Sequence, residues 1–389
     1  MVAYARRRVK VNDPLCHDQS MPQQKTEWME LRPAGPFARA LALALDELIR
    51  WTLIAVGAVA LARSGLFGVG ALLLTILAVY GLYGVAFDML ADGQTPGKRA
   101  QRIRVVNADG TRIRLSGSVI RNLLLPVDAL PFAYLLGLAM MMVTPRFRRI
   151  GDLVAGTVVV YREHAREPWE AADLGCAALH RAPLTLYGAW FATALPVFVL
   201  MVVSMWSYPS TSGFLLWWLK PLYERMPMWI VSQRLLGNAP TVLDAMSQWR
   251  AFGAGLAPML TYRRLSPTRS FDAAIDVHEG LRGSRRRGRV ALLHQRSGSP
   301  ALWLTVICAH VEAFLVTGAI VVLLLSMPRE ADLDWMSLLV AASSNSFDWV
   351  SNLVYLTAIG LVGPVYASAG FMLYVNRRSE LEGGSAPFS

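Results

Sequence analysis

Three stretches of this chain, Leu66–Phe87, Leu184–Trp206 and Trp349–Val375, hold no charged residue. Each exceeds the roughly 20 residues that a helix needs to cross a bilayer. A fourth, Ala301–Met327, is as long and holds only His310 and Glu312. A fifth, Ala40–Ala62, is apolar apart from Asp46, Glu47 and Arg50 in its first half. In hydrocarbon every backbone N–H and C=O must be satisfied internally, so runs of this length fold as helices. The chain therefore reads as an all-α polytopic membrane protein. Only 17% of its 389 residues are charged, against roughly 25% in an average soluble domain. The charge is missing from these runs and gathered between them.

Two further runs are interrupted. Val119–Val143 carries Arg121, Asp128, Pro126 and Pro131, and Phe214–Leu236 carries Lys220, Glu224, Arg225, Pro221 and Pro227. Lys and Arg number 6 in residues 1–38, 6 in 91–118, 6 in 144–183 and 10 in 237–300, but 1 in 63–65, none in 207–213 and 1 in 328–348. Basic loops stay in the cytoplasm. All of them can do so only if Val119–Val143 makes no net crossing and Phe214–Leu236 does cross. The first then reads as a re-entrant or interfacial helical pair broken at its prolines, since interior prolines kink or end a helix; a kinked span is the alternative. The expectation is six transmembrane helices in a bacterial inner membrane, both termini cytoplasmic. It includes a disordered arm 1–35, membrane modules over 36–165 and 166–383, and a tail 384–389.

Several function classes find no support. The net charge of +11 would suggest nucleic acid in a soluble protein. Here the basic residues lie between apolar runs, where membrane orientation explains them, and no nucleic-acid partner is expected. Cys16, Cys176 and Cys308 form no CxxC pair, so neither a zinc site nor a disulfide framework is expected. No Ser–His–Asp set, HExxH or Walker motif is present. No enzyme, catalytic residue, metal or cofactor is expected.

In the first module, Arg39, Asp46 and Arg50 recur at helical spacing and share one face. An isolated carboxylate in a bilayer costs roughly 3 kcal/mol on insertion scales. Asp46 and Arg50, four residues apart, can pair directly. The trio reads either as a polar pathway inside the bundle or as an ion pair at the start of a helix. Gly93-Gln94-Thr95-Pro96-Gly97-Lys98 makes a tight, backbone-exposed turn without P-loop spacing. Arg102–Asn107 and Thr111–Leu115, joined across Ala108-Asp109-Gly110, read as a short hairpin. Gly156–Tyr161 could add a third strand to a small cytoplasmic sheet. Asp152, after Arg146, Arg148 and Arg149, can pair with them or cap the next element.

These pieces come in a recognisable order: an Arg before the first span, an Asp inside it, GQTPGK, RIRVV with a following DG, Ile120-Arg121-Asn122 and RRIGDLVAGTVVVY. Over about residues 36–163 the chain resembles the RDD family of bacterial inner-membrane proteins. The family takes its name from one Arg and two Asp, which match Arg39, Asp46 and Asp152. The resemblance implies an integral membrane module that transports an ion or small ligand.

The second module is similar, by pattern alone, to other multi-span bacterial membrane proteins, among them the membrane domains found beside some glycerophosphodiesterases. Arg166 to Gly175, with Pro168 and Trp169, reads as an interfacial helix start. Trp217, Trp218, Lys220, Tyr223, Arg225 and Trp229 mark a broken span or an interfacial helix. Val242, Met246, Trp249, Gly253, Leu256 and Leu260 predict one amphipathic helix. Arg285, Arg286, Arg287 and Arg289 predict a polybasic loop. With Arg263 and Arg264 these arginines would meet anionic lipids, each adding roughly 1 kcal/mol near the leaflet.

His310 and Glu312 point to different faces of one span. They read either as proton-coupling or ion-binding groups or as partnered groups that lock helix packing. With Asp128 they complete the polar candidates. Two functions remain open: transport of an ion or small ligand, and a non-catalytic scaffold for a membrane-protein partner or a second copy of the chain.

Overall fold

The computed structural model describes residues 32–61, 65–130, 134–162, 168–248, 253, 255–325 and 345–382. Residues 1–31 of the expected arm, Cys16, Pro131, Arg166, Trp249, residues 328–344 of the acidic loop and the tail 384–389 lie outside the described residues. The chain divides into two compact units, one ending at Arg166 and the other running from Glu167 to Ser389.

The first unit opens with α1 (Pro36–Leu61) and α2 (Gly65–Leu90), which pack together. The charged face of α1 is inward, with Asp46 and Arg50 buried, while Trp51, Val56 and Val59 are exposed. A turn leads into α3 (Pro96–Ala100), whose N-cap Thr95 accepts from the amide of Lys98. Then come β1 (Ile103–Asn107), α4 (Leu115–Leu123), α5 (Leu125–Asp128), α6 (Leu135–Val143), α7 (Ile150–Val154) and β2 (Thr157–Tyr161). Val119–Val143 is thus three helical pieces rather than one span. The chain breaks at Leu124, ahead of Pro126, and again before Tyr134, which takes a left-handed φ of 61°.

The sheet differs from the expected hairpin. β1 pairs antiparallel with β2, Ile103 opposite Tyr161 and Asn107 opposite Thr157. Residues 111–115 contribute a single bridge, Val106 to Arg112, before α4 begins at Leu115. Apolar burial explains the choice. All five β2 residues are buried, and Val106, Val158 and Val160 pack as one cluster. The alternative partner exposes Arg112 and Arg114 and buries Ile113. The far edge of β2 is covered by residues assigned to the arm in the sequence reading. Ala34 donates to Val159 O at 2.9 Å, and Tyr161 donates to Arg32 O at 3.0 Å. A buried strand needs partners on both edges, so residues 32–34 are part of the sheet.

The second unit runs through α8 (Pro168–Arg181), α9 (Pro183–Ser204), α10 (Pro209–Trp218), α11 (Lys220–Tyr223), α12 (Arg225–Leu235), α13 (Val242–Ser247), α14 (Leu256–Leu260), α15 (Arg269–His278), α16 (Gly283–Leu325) and α17 (Asn345–Leu381). α17 is the central post, and α8, α9, α12, α15 and α16 pack around it. Trp190 of α9 is fully buried and lies against Gly360 and Gly363, where a larger residue would meet its indole. Phe214–Leu236 is broken as expected, at Leu219 and Glu224.

Two expectations fail here. The amphipathic helix over 242–260 is not continuous: α13 ends at Ser247, and α14 starts only after Gly255, whose φ is +66°. The polybasic loop is helical, forming the first turns of the 43-residue α16. Arg286 pairs with Asp276, and Arg289 binds Glu279 and Glu382 at 2.9 and 2.6 Å, which fastens that end of α16 to α15 and α17.

Among the described residues, four helical stretches are long and apolar enough to cross a membrane: Phe67–Leu90, Pro183–Ser204, Ser297–Leu323 and Ser346–Leu381. The first three are mostly unburied within the chain. They present Leu73, Leu74 and Leu77, then Val199, Leu200 and Val203, then Val321 and Val322 outward. Water tolerates contiguous apolar surface of that extent poorly, whereas lipid is its natural solvent.

Candidate functional site

In the first unit, the motif residues build a buried charge cluster. Asp152 is fully buried. One carboxylate oxygen takes Arg39 at 2.5 Å and the other takes Arg121 at 3.1 Å, with Arg149 at 3.6 Å. Burial alone would raise this carboxyl, but Arg39, Arg121 and Arg149 outweigh it and hold Asp152 well below the usual carboxylate range. Asp88, also fully buried, binds Arg121 at 3.1 Å and Lys98 at 3.3 Å, and accepts from Ser118 at 2.8 Å. Burial pushes Lys98 down to about 8, against the pull of Asp88. Asp128 accepts from the amide of Ile150 at 3.0 Å and sits 3.3 Å from Arg149, anchoring the start of α7.

Asp46 stands apart from these pairs. It does not take Arg50, as the four-residue spacing suggested. Its carboxylate accepts from Tyr83 at 2.9 Å, from the amide of Gly97 at 2.8 Å and from the hydroxyl of Thr95 at 2.5 Å. Arg50 turns to Glu47 at 2.6 Å and lies over the Tyr83 ring at 4.8 Å. The GQTPGK turn is therefore a cradle for the Asp46 carboxylate. Gln94 completes it from behind by donating to Ile103 O. Gly93, at φ +74°, lets the turn pass against the Val105 backbone. Gly97 lies against the Ala42 carbonyl, with no room for a Cβ.

Gly97→Ala should therefore push α3 off α1 and release Asp46. We expect a loss of about 2–4 kcal/mol, the range for removal of a buried, satisfied charge combined with overpacking. Thermal unfolding of the purified protein in detergent checks it. A midpoint equal to the parent would mean that the turn does not seat on α1.

The second unit holds a cavity of about 280 Å³, near the lower end of the roughly 300–1,000 Å³ typical of small-molecule sites. One wall is a single face of α16, where Thr305, Cys308, Ala309 and Glu312 follow helical spacing. The broken α10–α11 segment supplies Trp217 and Lys220, the turn before α15 supplies Arg264, α15 itself begins with Arg269, and α17 supplies Tyr366. Lys220 and Glu312 are both buried and bonded, with Nζ 2.6 and 2.7 Å from the two carboxylate oxygens. Arg269 reaches Glu224 at 3.5 Å and lies 5.4 Å over the Tyr366 ring. Arg264, 1% exposed, donates to Trp218 O at 2.9 Å and to Trp217 O, and stacks on Trp217 at 4.0 Å. Burial, then the neighbouring Arg269, push Arg264 down to about 10.

The structure brings Arg39 and Asp152 into direct contact, with Asp128 joined through Arg149. Asp46 and Arg50 lie on the adjoining face of α1 without pairing. Glu312 gains the partner the sequence could not name. His310 turns away from it: it is exposed and bonds the Val306 carbonyl of its own helix at 2.7 Å. Of the arginines expected at lipid, Arg285 and Arg287 are exposed, and Arg263 is part-buried on Asp276 at 3.4 Å. Arg264 and Arg286 are turned inward because the Trp217 and Trp218 carbonyls and Asp276 hold them there. Sequence reasoning did not select Asp88, Lys220 or Arg269 as site residues. The signal available for the cavity was the Thr305, Cys308, Ala309 and Glu312 spacing on a membrane helix.

Residues 33–156 match the model of the RDD family. No curated protein and no solved structure matches the chain. The match covers the charge cluster and its turn and ends before the second unit begins.

Proposed function

Starting from a chain that carries an RDD-family region and apolar helices of membrane-spanning length, we propose that this integral membrane protein transports an ion or small ligand. The cavity of the second unit is its binding site. One observation carries the reading: a charged cavity lies beside Glu312, inside a span, and next to a broken helical segment. Broken segments inside membrane proteins persist where they line a site, because the freed backbone groups need partners. Intramembrane ionisable residues mark pathways more often than they mark packing. Catalysis is not part of the proposal. In this reading both termini lie on the cytoplasmic side of an inner membrane, because basic loops stay inside.

Purified protein in liposomes tests it. We expect a flux driven by an imposed ion or pH gradient. The flux should be lost in the Lys220→Met/Glu312→Met double variant, which keeps the unit folded for reasons given in the Discussion. No gradient-dependent flux, or flux unchanged in that variant, would remove the transport reading.

A scaffold is the second reading, and the first unit favours it. The cations of its cluster, Arg39, Arg50, Lys98, Arg121 and Arg149, are matched in number by Asp46, Glu47, Asp88, Asp128 and Asp152. A balanced, hydrogen-bonded cluster suits a rigid platform for a membrane-protein partner or a second copy. Cross-linking in native membranes would then recover one stoichiometric partner, while exposed Arg285 and Arg287 meet anionic lipid.

A further inference from the structure

We infer that the cavity of the second unit binds a singly charged oxyanion group, held by Arg264. This deepens the transport reading and rests on its choice of cavity. Charge balance in the cavity leads to it. Lys220 is neutralised by Glu312 at 2.6 Å, and Arg269 by Glu224 at 3.5 Å. Among the described residues, Arg264 has no carboxylate within ion-pair distance. Its direct partners are two backbone carbonyls and the faces of Trp217 and Trp218, and the nearby carboxylate of Glu224 is already paired with Arg269.

Carbonyl dipoles and indole quadrupoles orient a guanidinium but do not cancel its charge. A buried cation without a counter-charge is strongly unfavourable in a low-dielectric site. The cavity thus carries one positive charge in excess, at a residue that is 1% exposed and lines open space.

Geometry narrows the ligand further. The hydrogen bonds of Arg264 use Nε and Nη2, which leaves Nη1 for an incoming acceptor. The planar guanidinium favours oxyanions such as carboxylate and phosphate. The hydroxyls of Thr305 and Tyr366, bonded to each other at 2.8 Å, line the same cavity. A volume of about 280 Å³ admits a small acid or a phospholipid headgroup. Both present one negative charge, and the experiment separates them. Organic cations are disfavoured, because three basic side chains line the space.

Full-length protein in an uncharged detergent is titrated with acetate, with a short-chain phosphatidylglycerol and with choline chloride, reading the unfolding midpoint. Native mass spectrometry of the same sample looks for retained phospholipid. We expect a saturable rise in midpoint with acetate or with phosphatidylglycerol, and none with choline. Response to acetate alone identifies a free acid; response to phosphatidylglycerol, or a retained phospholipid, identifies a headgroup. Arg264→Gln should weaken the apparent affinity at least tenfold, Arg264→Lys less, and the exposed Arg181→Gln not at all. Ala309→Leu narrows the cavity without changing charge and should also weaken binding, so it carries the test if Arg264→Gln does not fold. Equal affinity in the parent and in Ala309→Leu or Arg264→Gln, or no saturable response to either anion, overturns the site. Saturable anion binding without liposome flux supports the site and overturns transport. Gradient-driven flux without anion binding does the reverse.

Discussion

Asp152→Asn is expected to destabilise the first unit by about 3–5 kcal/mol, the cost of leaving buried charge uncompensated. The substitution keeps the shape of the side chain and removes its charge. Arg39, Arg121 and Arg149 would then face a neutral amide, with only Asp88 and Asp128 left to balance them. Removing one arginine as well should repair only part of the damage, because three arginines share Asp152 and the two that remain still meet a neutral amide in its place. Thermal unfolding in detergent, with the exposed Arg285→Gln as a control, reads the effect. A midpoint within the scatter of the control would show that Asp152 is not the centre of the cluster.

Lys220→Met or Glu312→Met alone should each cost a similar amount, about 3–5 kcal/mol, since each strands a buried charge. Here the double variant should recover most of the loss. The two groups bond each other closely, and two methionines of comparable volume replace them with apolar contacts. Replacing a buried pair by apolar residues is often neutral or stabilising. The parent midpoint and those of the three variants form a double-mutant cycle. Additive losses in the double variant would mean that the two side chains act separately. The contrast with Asp152 is physical: an isolated pair can be deleted as a unit, and a network cannot.

Much of the architecture could be read from the residues. Charge-free runs longer than a bilayer predict helices such as α2, α9 and α17, because hydrocarbon leaves the backbone no other way to satisfy its bonds. Pro126, Pro221 and Pro227 mark broken segments for the same local reason, a missing donor and a ring clash. The order of Arg39, Asp46, GQTPGK and RRIGD located the region that matches the RDD family model. The strand partners were not legible. Residues 111–115 and 157–161 both suit a strand beside β1, and the Asp109-Gly110 turn favours the nearer one. The burial of all five β2 residues decides for the farther. Arg286 likewise reads as one member of a basic run until Asp276 is seen beside it.

Asp46, Asp152 and Glu312 show where that boundary falls. The sequence by itself determined that they sit in or next to apolar helices, and that each therefore needs a partner. Only the tertiary structure decided which. Asp46 took neutral donors 37 to 51 residues away instead of the arginine one turn along. Asp152 took Arg39 across 113 residues, and Glu312 took Lys220 across 92. The cost of burying a charge is set by composition and position along the chain. The identity of its counter-charge is set by which helices pack face to face, and that is a property of the whole fold.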